Sequence, residues 1–230
     1  MHKISMPVQN RKGRENAHIY DRLSGRSTAL IVIDMQNVFM LPTMPLEVPL
    51  ARAIIPNVNQ LVGALREAGG TVAWVQMTAD DRFDAWSSWH ERAPESRAEI
   101  TELLRRGTEG HALHADLDVR PGDLRVEKTR YSAFIQDSSD LDRILRSRGI
   151  DTIIVTGTLT NVCCESTARD AMMLNYKTIV VSDANATLSD QAHNAALANV
   201  LNYFGDVFST DELVARLAAG SSLVKRAAAG

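Results

Sequence analysis

Short runs of apolar and β-branched residues recur along the chain: ALIVID at 29–34, TVAWVQM at 71–77, DLRVEK at 123–128, DTIIVTG at 151–157 and KTIVVSDA at 177–184. Several are apolar without interruption, as expected of strands covered on both faces, so their pattern predicts a parallel sheet rather than a one-sided antiparallel one. Between them lie segments with helical spacing. Residues 56–68 place Val58, Leu61, Val62 and Leu65 on one face, open with Pro56 in the first turn and stop at Gly69–Gly70. Residues 140–148 repeat the pattern and end at Gly149, while 190–204 and 210–217 predict two more helices. Strand and helix therefore alternate in the βαβ rhythm of a three-layer α/β/α fold. The stretch 80–117 is polar, carries Trp86, Trp89 and His90, and shows no strand pattern. It reads as a helix-bearing excursion near a pocket.

Composition narrows the class. The chain has 230 residues, 45% of them hydrophobic, and a formal net charge of −3 from 25 Lys+Arg against 28 Asp+Glu. That size buries one large core, and so balanced a charge gives no electrostatic footprint for nucleic acid. The opening residues lack the apolar centre of an export signal and no run is long and apolar enough for a membrane span, so a cytoplasmic protein is expected. The expected organisation is an N-terminal extension over 1–27, one domain over 28–218 and a flexible tail over 219–230, rich in Ala and Gly.

In open parallel sheets chemistry gathers beyond the carboxyl ends of the strands. Three reactive side chains fall there: Asp34 at the end of the first run, Lys128 at the end of the third, and Cys163 six residues past Gly157. Cys163 and Cys164 are the only cysteines, adjacent in TNVCCESTARDA, so neither a disulfide framework nor a four-thiolate zinc site is available. A thiol in the first turn of a helix meets free N–H groups and the positive dipole end, which predicts a lowered pKa and donors for an oxyanion. A carboxylate can take its proton and a lysine can hold the charges. Each residue alone has a structural reading: Asp34 as a helix cap, Lys128 as a solvated strand end, the cysteines as small core residues. Their occurrence at three equivalent strand ends favours function.

The blocks ALIVIDMQN (29–37), EKTRYSAF (127–134) and VTGTLTNVCCESTARDAMMLNY (155–176) resemble the isochorismatase-like cysteine hydrolase family in order and spacing, over about 28–217. The resemblance implies a mainly parallel, six-stranded, Rossmann-like sheet between helical layers. It implies a catalytic triad of Asp34, Lys128 and Cys163, an oxyanion hole from the main-chain N–H groups of Leu159 and Cys163, and a non-proline cis peptide at Thr158–Leu159. It also selects Cys163 as nucleophile, because that position follows TNV; Cys164 lies about 100° further round the helix and reads as packing. Members that cleave a vinyl ether typically carry Gly at the Cys163 position, so a cysteine there implies acyl transfer. The stretches RYS, LDRILRSRGI and TNVCCESTARD resemble ureidoacrylate and other N-carbamoyl amidohydrolases, which implies a small linear amide or ureide as substrate, no cofactor, and a homodimer or homotetramer. Vinyl-ether hydrolysis and a non-catalytic binding role are the alternatives.

Candidate substrate-binding residues are Gln36 and Asn37, able to hydrogen-bond an amide or to cap the next loop, Tyr131 and Phe134 as pocket walls, and Trp74, with Trp86 and Arg130 behind them. Nicotinamidases of the family hold a metal on closely spaced Asp and His residues. Here Asp80, Asp81 and Asp84 are accompanied only by His90, and His111 and His114 lack a partner motif, so no metal is expected and those histidines read as solvated or capping. Arg169 and Asp170 read as structural pairing on the helix surface or at an interface.

Overall fold

A computed structural model describes residues 1–5, 18–92 and 94–227. The strands are β1 (Thr28–Ile33), β2 (Thr71–Met77), β3 (Leu124–Lys128), β4 (Thr152–Thr158), β5 (Lys177–Ala186) and β6 (Asp206–Phe208). The helices are α1 (Asn37–Met40), α2 (Ile55–Glu67), α3 (Asp81–Asp84), α4 (Ser87–His90), α5 (Pro94–Leu103), α6 (Leu141–Ser147), α7 (Glu165–Met173), α8 (Asp190–Asn199) and α9 (Thr210–Ala227). The sheet order is β3-β2-β1-β4-β5-β6 and every neighbouring pair is parallel, so the sheet is wholly rather than mainly parallel.

Period-two geometry sorts the strand residues between two cores. Ala29, Ile31 and Ile33 of β1, Ala73, Val75 and Met77 of β2, and Ile153 and Val155 of β4 face one layer, where Leu141 and Leu145 of α6 and Ala168 and Ala171 of α7 cover them. Leu30, Val32, Val72, Trp74 and Ile154 face the other, against Val58, Leu61, Val62 and Leu65 of α2 and Leu213 and Leu217 of α9. The helical spacing of 56–68 is thus the stripe that docks α2 on the sheet. β6, only three residues long, carries no pattern of its own. The expected C-terminal tail is helical through Ala227, and residues 228–230 lie outside the described part.

Chain order runs outward from the centre twice: β1 to β2 to β3 on one side, β4 to β5 to β6 on the other. Adjacent β1 and β4 therefore send their following loops apart, leaving a crevice beyond their carboxyl ends. The loop after β4 continues as a π-helical turn over Thr160–Cys164 before α7 begins.

A buried histidine braces that turn. His193 of α8 donates from Nε2 to the Ser182 carbonyl at 2.9 Å, and its Nδ1 faces the Thr160 hydroxyl at 2.9 Å. His2 stacks on the ring at 4.3 Å, itself bonded to Asp190 at 2.8 Å. Burial, with His2 adding to it, lowers the His193 pKa to about 4 from the ordinary 6.5. The unfolded chain then binds a proton between those values while the folded chain does not. Stability is expected to fall by about 2 kcal/mol as pH drops from 6.5 to 4, and urea titrations at several pH values check it. In His193→Gln that part of the pH dependence disappears.

Candidate active site

Asp34 is the first residue beyond β1 and adopts a left-handed backbone, φ 52°. Such a conformation is uncommon outside glycine, and Asp tolerates it better than most residues. Here it is held from three sides: Asp34 N–H donates to the Val75 carbonyl at 2.8 Å, the Thr158 hydroxyl donates to the Asp34 carbonyl at 3.0 Å, and Asp34 Oδ1 accepts the Met77 N–H at 2.9 Å. Its other carboxylate oxygen, Oδ2, lies 2.8 Å from Lys128 Nζ, and neither side chain has any solvent exposure. Lys128 ends β3, paired in register with Met77 at the end of β2. Its ammonium also donates to the Arg130 carbonyl at 3.1 Å and touches Met77 Sδ at 3.8 Å.

Cys163 sits in the π-helical turn, 3% exposed, close enough to Asp34 and Lys128 for both charges to act on its thiol. The strand ends thus bring acid, amine and sulfur into one buried cluster at the β1/β4 switch point. Lys128 keeps its proton: burial opposes the charge, but Asp34 and Cys163 outweigh burial and raise its pKa. The thiol behaves opposite to the expectation from its helix position. Burial pushes the Cys163 pKa up, Lys128 pulls it partly back, and Asp34 raises it again. The dipole of a short turn does not offset loss of water around a sulfur anion. At rest this is a neutral thiol beside an ion pair. Cys164 is wholly buried, its thiol 3.9 Å from the Thr156 carbonyl, as packing requires.

The peptide bond between Thr158 and Leu159 is cis. Leu159 and Cys163 both line a cavity of about 170 Å³, walled by Phe39, Met77, Phe83, Trp89, Leu104, Tyr131 and Val162 and carrying Arg97. Drug-sized ligands occupy roughly 300 Å³ or more, so this space suits a small molecule.

Of the predicted substrate-binding residues, Tyr131 alone lines this cavity. Gln36 is buried but committed to main chain: its amide donates to the Met77 and His111 carbonyls at 3.0 Å each and accepts the Met77 N–H at 2.8 Å. Asn37 donates to the Glu109 carbonyl at 3.0 Å. Trp74 alternates onto the opposite face of the sheet, its indole N–H on Asp123 at 2.8 Å. Phe134 packs beside Tyr176, ring centroids 5.3 Å apart. Trp86 meets Tyr131 edge-on at 4.9 Å, and the Arg130 guanidinium lies 5.0 Å from the Trp86 ring, behind the cavity wall. His111 is buried and bonded to the Thr78 hydroxyl at 2.8 Å, rather than solvated. His114 accepts the Asp116 N–H at 3.3 Å. Arg169 pairs with Glu165 at 2.6 Å, one turn back on α7, rather than with Asp170.

The excursion between β2 and β3 supplies Phe83, Trp89, Arg97 and Leu104 to the cavity. Its aromatic content in an otherwise polar stretch was the available signal for two of them; nothing in the spacing of α5 distinguishes Arg97.

A parallel three-layer α/β protein with Cys163, Lys128 and Asp34 clustered under a small cavity belongs to the class that works at the carboxyl rim of its sheet. The isochorismatase domain model matches residues 28–212, and the chain belongs to the isochorismatase family of hydrolases. It is 37% identical over 201 residues to a ureidoacrylate amidohydrolase, RutB, of Caulobacter vibrioides, spanning 80% of this chain and 88% of that protein. Among solved structures it superimposes on a cysteine hydrolase from Pseudomonas syringae pv. phaseolicola with a TM-score of 0.80 and 32% identity, covering 90% and 100% of the two chains. An N-carbamoylsarcosine amidase from Thermoplasma acidophilum matches with a TM-score of 0.65 and 29% identity, over 80% and 97%. Among the described residues no helix is long and apolar enough to cross a membrane.

Proposed function

We propose that the protein is a cysteine amidohydrolase that cleaves the C–N bond of a small linear amide or ureide. The observation that carries this reading is the sealed Lys128–Asp34 ion pair at the floor of the cavity that Cys163 lines, near enough for both charges to act on the thiol. A buried carboxylate held ionised by an ammonium is a base poised for the adjacent proton.

As the substrate carbonyl docks on Cys163, the thiol proton passes to Asp34 and the sulfur attacks carbon. The resulting oxyanion takes hydrogen bonds from the N–H groups of Leu159 and Cys163. Protonated Asp34 then gives its proton to the departing nitrogen, the C–N bond breaks, and ammonia or an amine leaves behind a thioester or carbamoyl-enzyme. Water enters, loses a proton to Asp34 and attacks the acyl carbon; the C–S bond breaks and the thiol regains its proton. Lys128 stays protonated throughout and keeps Asp34 in its anionic starting form. The raised thiol pKa fits this order, because sulfur ionises only when its proton has a recipient and its charge a carbonyl to attack. The ureidoacrylate and N-carbamoylsarcosine enzymes among the relatives support the ureide class.

The test is ammonia release from a panel of carbamoyl and carboxamide compounds, combined with intact-mass analysis of quenched turnover mixtures. A mass increment localised to Cys163, retained in Cys164→Ala and missing in Cys163→Ala, is expected. Turnover that survives in Cys163→Ala, or silence across the panel, would refute the reading.

A further inference from the structure

Residues 1–5 are seated on the domain by specific hydrogen bonds. The Lys3 N–H donates to Asp190 Oδ1 at 3.3 Å, the Ser5 N–H donates to Asn194 Oδ1 at 2.7 Å, and the Asn194 amide donates to the Lys3 carbonyl at 2.9 Å. These partners stand on the first turns of α8. Between them His2 turns inward until its side chain is 2% exposed. A buried imidazole is costly unless its nitrogens find partners. Here both do.

The partners also fix where the protons sit. The Asp190 carboxylate accepts at 2.8 Å, so His2 Nδ1 carries the proton, and the Thr187 N–H donates to Nε2 at 3.0 Å, so that nitrogen is bare. His193, stacked against the His2 ring, has the opposite tautomer. Its Nε2 donates to the Ser182 carbonyl, which leaves Nδ1 to accept from the Thr160 hydroxyl at 2.9 Å. Thr187 meanwhile donates its own hydroxyl to Asn161 Oδ1 at 2.6 Å. Two routes thus run from His2, one through the His193 ring to Thr160 and one through Thr187 to Asn161. They end on the first two residues of the π-helical turn that carries Cys163. Inside that turn the Val162 and Cys164 N–H groups both go to the Leu159 carbonyl, bonds that set its shape. Its placement against α8 is left to Thr160 and Asn161.

We propose that His2 is a positioning residue for the nucleophile, and that residues 1–5 form a strap holding the Thr160–Cys164 turn in register with Asp34 and Lys128. The effect on turnover rests on the amidohydrolase reading above; the coupling of strap to turn does not. Displacement of reacting groups by about 1 Å can cost about 10²-fold in rate, so a distant hold on this turn is felt at the sulfur.

Two variants separate the hydrogen bond from the bulk of the ring. His2→Phe keeps a stacked ring but leaves the Thr187 N–H buried without its acceptor, whereas His2→Gln places an amide oxygen within reach of that N–H. In hydrogen-exchange mass spectrometry, His2→Phe is expected to speed exchange of a peptide covering 159–164 at least about tenfold and to leave α6 unchanged, with His2→Gln within about threefold of wild type. Turnover is then measured on whichever compound of the carbamoyl and carboxamide panel releases most ammonia. His2→Phe is expected to lose at least about tenfold in kcat with KM within about twofold, and His2→Gln to recover most of it, because a misplaced sulfur slows attack while the cavity walls still hold the substrate. Unchanged exchange at 159–164 in His2→Phe, an equal rise in His2→Gln, a turn that loosens while kcat holds, or a loss confined to KM would each overturn the proposal. Should wild type release ammonia from no compound, the amidohydrolase reading falls, and the exchange comparison alone upholds or overturns the strap.

Discussion

Asp34→Asn is expected to lower kcat/KM by at least about 10³-fold, because it removes the group proposed both to take the thiol proton and to return it to the leaving nitrogen. Lys128→Met is expected to match that loss by a different route. With the ammonium gone, Asp34 Oδ2 loses the cation that lies 2.8 Å away and holds the carboxylate in place. Both variants should also be less stable, by about 3–5 kcal/mol, since each leaves one buried ionisable group without its partner. The double variant Asp34→Asn/Lys128→Met separates the two effects. Its two neutral side chains carry no unpaired charge, and the introduced amide would still accept the Met77 N–H through its carbonyl oxygen. Urea denaturation is expected to show most of the lost stability restored, while ammonia release stays at the level of the single variants. Full stability in the singles would mean that the pair is not sealed from water. Activity recovered in the double variant would mean that neither residue handles the proton.

The residues of that pair were legible in the sequence for a definite reason. In a parallel sheet the carboxyl ends of the strands form the functional rim, so strand assignment and site assignment are one inference at Asp34, just past β1, and at Lys128, the last residue of β3. The central strands announced themselves because both faces are buried, and α2 because one face is. β6 did not, since three residues hold no period. Gln36, Asn37, Phe134 and Trp74, offered as substrate-binding residues, do not line the cavity that Cys163 lines. Proximity along the chain to a catalytic position says nothing of which carbonyls a polar side chain satisfies, as with Gln36 and Asn37. Nor does it say on which side of the sheet a ring lands, and the period-two geometry of β2 sends Trp74 away from Met77's face. The sulfur's pKa was misjudged because helix position is a local property, whereas burial depends on everything that packs above it.

Gly157→Ala is expected to unfold the protein outright or to cost more than about 4 kcal/mol, far above a typical single substitution. Gly157 lies in β4 opposite Ile33 of β1, where the register with β5 shifts. Its φ is 116°, a region that L residues rarely adopt, and a Cβ built there would overlap the Ile33 carbonyl oxygen and crowd the Ile33 nitrogen. Those atoms are main chain of a central strand and cannot swing aside as a flexible side chain would. Gly107→Ala is the control. It shares a positive φ, 84°, but its Cβ would meet nothing within 4 Å, so it should show the conformational penalty alone, about 1 kcal/mol. Denaturant midpoints of the two variants measure the difference, and a Gly157→Ala protein as stable as Gly107→Ala would show that β1 and β4 can part without penalty. They are not expected to, because the next residue, Thr158, donates its hydroxyl to the Asp34 carbonyl. Separation of the strands at Gly157 would displace Asp34, the proposed base, relative to Cys163, so any Gly157→Ala molecules that do fold should be deficient in kcat before they are deficient in substrate binding.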